Sequence, residues 1–256
     1  MMKKMVELSA NYRFKILAIF TLFFVIGTAS ADEGGDARGT PARAVVELYT
    51  SQGCYSCPPA DILLKELIDN RNDVVALEFH VDYWDDLVYG SAGSWRDPFS
   101  NADFTRRQRQ YNSTPMGGRT GVYTPQMVVN GQHALVGSNR DALYMGINKQ
   151  SRLPVDVHID KRDGAYIVSL DGTPTDSADI WQIRFIPAAS TQVVRGENNG
   201  KTMHNHHIVT EFKHIGRMQN DKLEVKIEPD SSNRTNCAVL VQNNTGHILG
   251  AAYCPS

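Results

Sequence analysis

AVVELYTSQGCYSCPPAD, residues 44–61, decides how this chain is read. A β-prone run, Ala44–Tyr49, leads into Cys54 and Cys57, and two prolines follow directly. Proline suits the first turn of a helix, where the missing N–H has no partner to lose. Ala60, Leu63, Leu64, Leu67 and Ile68 then recur at helical spacing, and residues 70–73 supply turn chemistry. Val74–Val81 (VVALEFHV) reads as a second, largely buried strand. A helix between two strands makes a β-α-β unit, so the strands are expected to be parallel. At a strand-to-helix turn, Cys-x-x-Cys carries chemistry. The nucleophile of disulfide exchange is a thiolate, and a free thiol ionises only near about pH 8.5. The open N–H groups and roughly half a positive charge at a helix N-terminus favour that thiolate. Cys54 is therefore assigned as nucleophile, normally the exposed member. Cys57 is assigned as the shielded, resolving thiol. The alternatives are a structural disulfide and half a zinc site, and the second Cys-x-x-Cys of a zinc site is missing.

Working outward, Tyr83–Phe99 is irregular, Asn101–Tyr111 reads as a helix, and Asp141–Gln150 as a closing helix. Gln126–Asn130 and Gln132–Val136 flank Gly131 as a hairpin-like pair. Thr124–Pro125 stands immediately before that pair, and proline belongs at a strand's start because it has no ladder N–H. The reading is a cis Thr124–Pro125 bond packed beside the cysteines and lining a peptide-binding edge; an ordinary trans proline is the alternative. After Pro154 the texture changes to seven short β-type runs: Val155–Ile159, Ala165–Leu170, Ile180–Ile186, His207–Phe212, Leu223–Ile227, Ala238–Val241 and Ile248–Tyr253. Such spacing predicts a small antiparallel sandwich. The expected organisation is a signal peptide over 1–31, a flexible leader over 32–42, an α/β domain over 43–151 and a β-sandwich-like domain over 152–256.

With the Cys pair and the Thr124–Pro125 segment in hand, the chain resembles the thioredoxin superfamily. More narrowly it resembles the secreted, thioredoxin-like domain-of-unknown-function family 1223. The stretches that carry this are VVELYTSQGCYSCPPAD, FHVDYWDDL, VYTPQMVVNG and RGENNGKTMHNHHIV, beginning at Val45, Phe79, Val122 and Arg195. The resemblance implies a thioredoxin-like α/β N-terminal domain followed by a β-rich, sandwich-like C-terminal domain, with a redox role and no assigned substrate. Members of that superfamily often hold a buried acid near the reactive pair, which makes Glu47 a possible proton shuttle; if the strand register slips by one, Glu47 faces solvent instead. His80, Asp82 and Trp84 are candidates for the rim of the site, at the end of the second strand; the alternative is a structural turn with a packed Trp.

Lys3, Lys4, Arg13 and Lys15 precede an apolar run, Ile16–Gly27, and Ala29-Ser30-Ala31 follows. That is the pattern of a secretory signal, so a periplasmic or secreted location is expected, without stable membrane insertion after cleavage. The chain carries 26 Lys and Arg against 28 Asp and Glu, which offers no basic surface for nucleic acid. Its densest basic spot, Arg106-Arg107-Gln108-Arg109, reads as a solvated helix face. Export implies an oxidising compartment, where the four cysteines suggest Cys54–Cys57 and Cys237–Cys254, the other pairings remaining open. A two-residue turn at Thr245-Gly246 would place Cys237 opposite Cys254 as a structural staple of the last hairpin. His204, His206 and His207 lack a completing ligand, and no metal or cofactor is expected. The function read from all this is exported thiol–disulfide exchange with a protein or small-molecule thiol or disulfide partner. The alternatives are a non-catalytic binding protein with a structural bridge, and a metallochaperone that uses the two thiols as ligands.

Overall fold

The computed structural model describes residue 39 and residues 41–113, 121–172, 174, 177–219, 222–232 and 234–255. The expected signal peptide lies outside them. Of the expected leader only the end is described, and it is tied down: Gly39 N–H donates to the Tyr253 carbonyl at 2.7 Å and Ala42 N–H to that of Ala251 at 2.7 Å.

The first half follows the order read from the sequence. Strand β1 (Ala44–Thr50) leads to helix α1 (Pro58–Asn70), strand β2 (Val74–His80), helix α2 (Ala102–Tyr111), strands β3 (Gln126–Val129) and β4 (His133–Val136), and helix α3 (Arg140–Lys149). β1 and β2 are parallel, with Leu48 opposite Glu78 and Thr50 opposite His80. Asn130 and Gly131 both have positive φ, 51° and 65°, and Gln132 N–H returns to the Val129 carbonyl, so Asn-Gly forms the primed turn that joins β3 to β4. The seven later runs become β5 (Asp156–Arg162), β6 (Ala165–Asp171), β7 (Ala178–Gln192), β8 (Thr202–Met218), β9 (Lys222–Ile227), β10 (Asn236–Asn243) and β11 (Ile248–Tyr253).

The expected fold class is overturned. The described residues form a mostly β body with three α-helices, in which one eight-stranded mixed sheet runs β11-β10-β7-β8-β2-β1-β3-β4. There is no thioredoxin-like α/β domain followed by a separate sandwich. β8 lies parallel against β2 and joins both halves into that sheet. The three-stranded sheet β5-β6-β9 packs on the β10–β11 end, where Val157, Ile159 and Val168 cluster with Val239, Val241 and Ala252. The core explains why the halves do not part. Val45, Tyr49, Leu77 and Phe79 pack with Ile183, Phe185, Val209, Leu240 and Ala251 in a single cluster. Strand side chains alternate between faces, so Ala44, Val46 and Leu48 point the other way, onto Ala60, Leu63, Leu64 and Leu67 of α1.

The basic spot on α2 is also corrected. Arg107 is buried, its Nε 2.7 Å from Glu47 Oε1 and its Cζ 4.1 Å from the Phe212 ring centroid. Cys254 N–H donates to the Cys237 carbonyl at 2.8 Å, so the two cysteines oppose each other as counted. The route differs from the count. The hairpin turn closes between Asn243 and Gly246, and a bulge at Val241/Gln242 restores the register.

Candidate functional site

Cys54 and Cys57 lie at disulfide distance, their Cα atoms 5.4 Å apart, at the entry to α1. The turn is tight: Cys54 N–H donates to Ser51 and Cys57 N–H to Cys54, and the Cys57 carbonyl then accepts from Ala60 and Asp61 as the helix begins. Cys57 is the N-cap residue and Pro58 opens the helix, as the sequence implied. The exposure does not follow expectation. Both cysteines are 0% exposed, and Tyr55 between them is 65% exposed.

Two layers bury the pair. Outside it sits the β7–β8 hairpin tip, residues 193–201. Asn198 Nδ2 donates to the carbonyls of Gln52 (2.9 Å) and Cys54 (3.0 Å), and Glu197 Oε2 accepts from Tyr55 N–H at 2.9 Å. Lys201 Nζ reaches Asn198 Oδ1 at 2.8 Å and stands 4.2 Å from the Tyr55 ring centroid.

Beneath the pair, on the α1 side of the sheet, lies a buried cluster of ionisable groups. Asp61 is four residues past Cys57, hence on the same helix face. Its Oδ1 accepts from Thr50 Oγ1 at 2.8 Å. Glu78 and His80 alternate along β2 and so share that face. Glu78 accepts from Asn205 Nδ2 (2.6 Å) and His206 N–H (2.8 Å), and lies 3.3 Å from His80 Nε2. His80 Nδ1 is 2.7 Å from Asp97 Oδ2, which also accepts Gln52 N–H at 2.7 Å. Gln52 Nε2 closes the circuit on Asn205 Oδ1 at 2.9 Å. The cluster therefore touches the backbone that carries Cys54.

Burial governs the charges. It pushes the Asp61 carboxyl well above the usual carboxylate range, the negative charge of Glu78 adds to this, and the Thr50 hydrogen bond only partly opposes it. Burial alone would lower His80, but the Asp97 carboxylate and then Glu78 outweigh it and hold the imidazole well above its usual value. Asp97 is likewise raised by burial, yet His80 and the N–H groups of Gln52 and Phe99 leave it lowered.

The residues singled out from the sequence divide. The Thr124–Pro125 bond is cis. Thr124 Oγ1 accepts from Trp84 Nε1 at 2.8 Å, and a Cβ on Gly53 would stand 3.3 Å from Trp84 Cβ, so Trp84 links the proline segment to the cysteine turn. His80 is not on a rim; it is wholly buried under the turn. Asp82 is turned to α2, accepting from Thr105 Oγ1 at 2.5 Å. Glu47 faces away from α1 into the other core, where Arg107 and Tyr111 take its carboxylate at 2.7 and 2.5 Å. Cys237 and Cys254 lie at disulfide distance, with Cα atoms 5.2 Å apart. His204 Nδ1 lies 2.8 Å from Ser190 Oγ, whereas it is the His206 backbone N–H that Glu78 takes, and among the described residues the three histidines build no common site. Asp61, Glu78, Asp97, Glu197 and Asn198 were missed. A signal existed for the first two: Asp61 is one helical turn past Cys57, and Glu78 and His80 alternate on a strand read as buried.

Comparison with known proteins now adds the family. Residues 45–242 match the family described as protein of unknown function (DUF1223). The chain belongs to this family. A crystal structure of a protein from Agrobacterium tumefaciens is similar at 30% identity and a TM-score of 0.70, over 83% of this chain and 94% of that one. HBP35 of Porphyromonas gingivalis shares 12% identity with a TM-score of 0.54, over 83% of this chain and 74% of that one, a likeness of fold alone. No curated protein matches the chain.

Proposed function

We propose that this DUF1223 protein is an exported thiol–disulfide oxidoreductase acting through Cys54 and Cys57. The observation that carries the reading is Asp61, a buried carboxyl with a raised pKa, one helical turn past Cys57 and on its face of α1. A partner thiolate attacks Cys54 Sγ, a mixed disulfide forms, and the Cys54–Cys57 bond breaks. Cys57 leaves as a thiolate at the N-terminus of α1, where the helix dipole favours it. Asp61, whose burial favours the protonated form, supplies the proton that Cys57 takes up, and it accepts that proton back when Cys57 attacks in the reverse direction. The shuttle role expected of Glu47 thus passes to Asp61. No metal or cofactor is needed, since the electrons move between sulfur atoms.

Single-cysteine variants test the reading. With Cys57→Ser the mixed disulfide has no resolving thiol and should accumulate as an adduct visible by mass; Cys54→Ser should abolish turnover. If Cys57→Ser traps nothing and Cys54→Ser leaves turnover intact, the proposal is wrong. The complete burial of both cysteines favours a second reading, a non-catalytic binding protein whose Cys54–Cys57 bridge only braces the turn. Its mark would be a bridge that resists reduction.

A further inference from the structure

The hairpin tip that buries the cysteines does so with a particular set of atoms. It occupies three main-chain groups around Cys54: the carbonyls of Gln52 and Cys54, and the N–H of Tyr55. The donor is a carboxamide NH2 and the acceptor a carboxylate oxygen. An extended polypeptide can make the same hydrogen bonds with its own N–H and C=O. Both segments carry an exposed apolar side chain, Tyr55 on the cysteine turn and Val194 on the tip; Leu87 and Val88, also exposed, follow Trp84. The tip itself is turn backbone beyond the last strand pair, Gln192 with Thr202.

Building on the exchange reading above, we infer that residues 193–201 are an internal stand-in for a substrate main chain, and that the exchange partner is an extended polypeptide segment carrying cysteine. Such a segment displaces Glu197 and Asn198 and remakes their hydrogen bonds while its side chains rest on Tyr55 and Val194. A low-mass thiol displaces the same side chains but leaves the three main-chain groups without partners. Stripping the two buried carbonyls, those of Gln52 and Cys54, of their donor slows access by about tenfold or more. In the reaction the first peptide thiolate attacks Cys54 Sγ and expels Cys57 as thiolate. The second peptide thiolate attacks the peptide sulfur of the mixed disulfide and expels Cys54. The peptide leaves as a disulfide, two electrons richer cysteines remain on the protein, and the two thiol protons end on Cys54 and Cys57.

The test is the rate of Cys54–Cys57 reduction by two probes: dithiothreitol, and an extended reduced peptide with two cysteines. Each rate is normalised to the same probe's attack on oxidised glutathione. For the wild-type chain the normalised peptide rate should exceed the dithiothreitol rate by about tenfold or more. In Asn198→Ala and in Glu197→Ala the dithiothreitol rate should rise and the ratio should shrink toward unity. Lys201→Ala loosens the tip at two points, Asn198 Oδ1 and the Tyr55 ring, and should shift the ratio the same way, which keeps the test open if Asn198→Ala fails to fold. A wild-type ratio near one, or a ratio unmoved by all three substitutions while exchange continues, overturns the inference and leaves the exchange reading standing. A pair that neither probe reduces, in wild type or variants, overturns both.

Discussion

Arg107→Met, taken with Glu47→Gln, separates a structural acid from a chemical one. The Glu47 carboxylate is wholly buried and Arg107 nearly so. The guanidinium is fully engaged, with Nε on Glu47 at 2.7 Å, one terminal nitrogen on Gln242 at 2.9 Å and the other on Tyr111 at 2.8 Å. Removing it leaves Glu47 with the Tyr111 hydroxyl as its remaining donor. Breaking one side of such a pair costs about 3–5 kcal/mol, because a buried charge is stranded. In a body of this size each kcal/mol lowers Tm by roughly 2–4 °C, so Arg107→Met should melt about 6–20 °C lower. Adding Glu47→Gln removes the stranded charge and should return part of that loss, a coupling of about 1–3 kcal/mol in a double-mutant cycle by urea unfolding. Disulfide exchange by the folded variants should stay within about twofold of wild type, since Glu47 faces away from α1 and a residue outside the reacting face contributes nothing to proton transfer. A Glu47→Gln protein that melts normally yet exchanges more than about tenfold slower would refute this placement and restore Glu47 as the shuttle.

Asp61→Asn keeps the Thr50 hydrogen bond but cannot move a proton; it should slow steps in which Cys57 leaves or attacks by about 100-fold or more, measured by stopped-flow exchange, while far-UV circular dichroism stays unchanged. His80 has a folded pKa above its unfolded value of about 6.5, so its stabilisation is complete below that pH and is lost as pH rises through the folded value. Wild type should therefore lose urea stability toward alkaline pH more steeply than His80→Gln, and parallel profiles would contradict the His80–Asp97 pairing. For Asp97 the sign is opposite: its folded pKa is lowered, so its contribution is present above about pH 3.9 and fades as pH falls through the folded value, a loss that Asp97→Asn should abolish in acid unfolding. Cys237→Ser opens a bridge between residues 17 apart and should cost about 3 kcal/mol in chemical unfolding while leaving the Cys54–Cys57 exchange rate intact.

Local signals in the sequence were strong where chemistry is local. Pro58 after a β-prone run and two cysteines marks the start of α1, and Asn130-Gly131 marks a primed hairpin. Seven β-type runs after Pro154 became seven strands. The global arrangement was hidden because it rests on contacts distant in sequence. Nothing in VVALEFHV says that β8 will lie along it, with Ile208 opposite Glu78. A separate second domain was therefore the natural reading, although β7 and β8 extend far beyond their apolar runs to carry the tip to the cysteines. The Cys237 register came out correct through two compensating shifts, a displaced turn and a bulge. The missed residues come from segments distant in sequence and meet the cysteine turn only in the fold: Asp97 takes Gln52 N–H and His80 Nδ1, and Asn198 donates to the Gln52 and Cys54 carbonyls.

Whether Cys54 and Cys57 form a working redox pair is decided by their reduction potential in glutathione buffers, with Cys237 and Cys254 followed separately. Reversible titration between about −270 and −120 mV is the expected result. A bridge still closed below about −300 mV would contradict it and leave the cysteines as a brace for the turn.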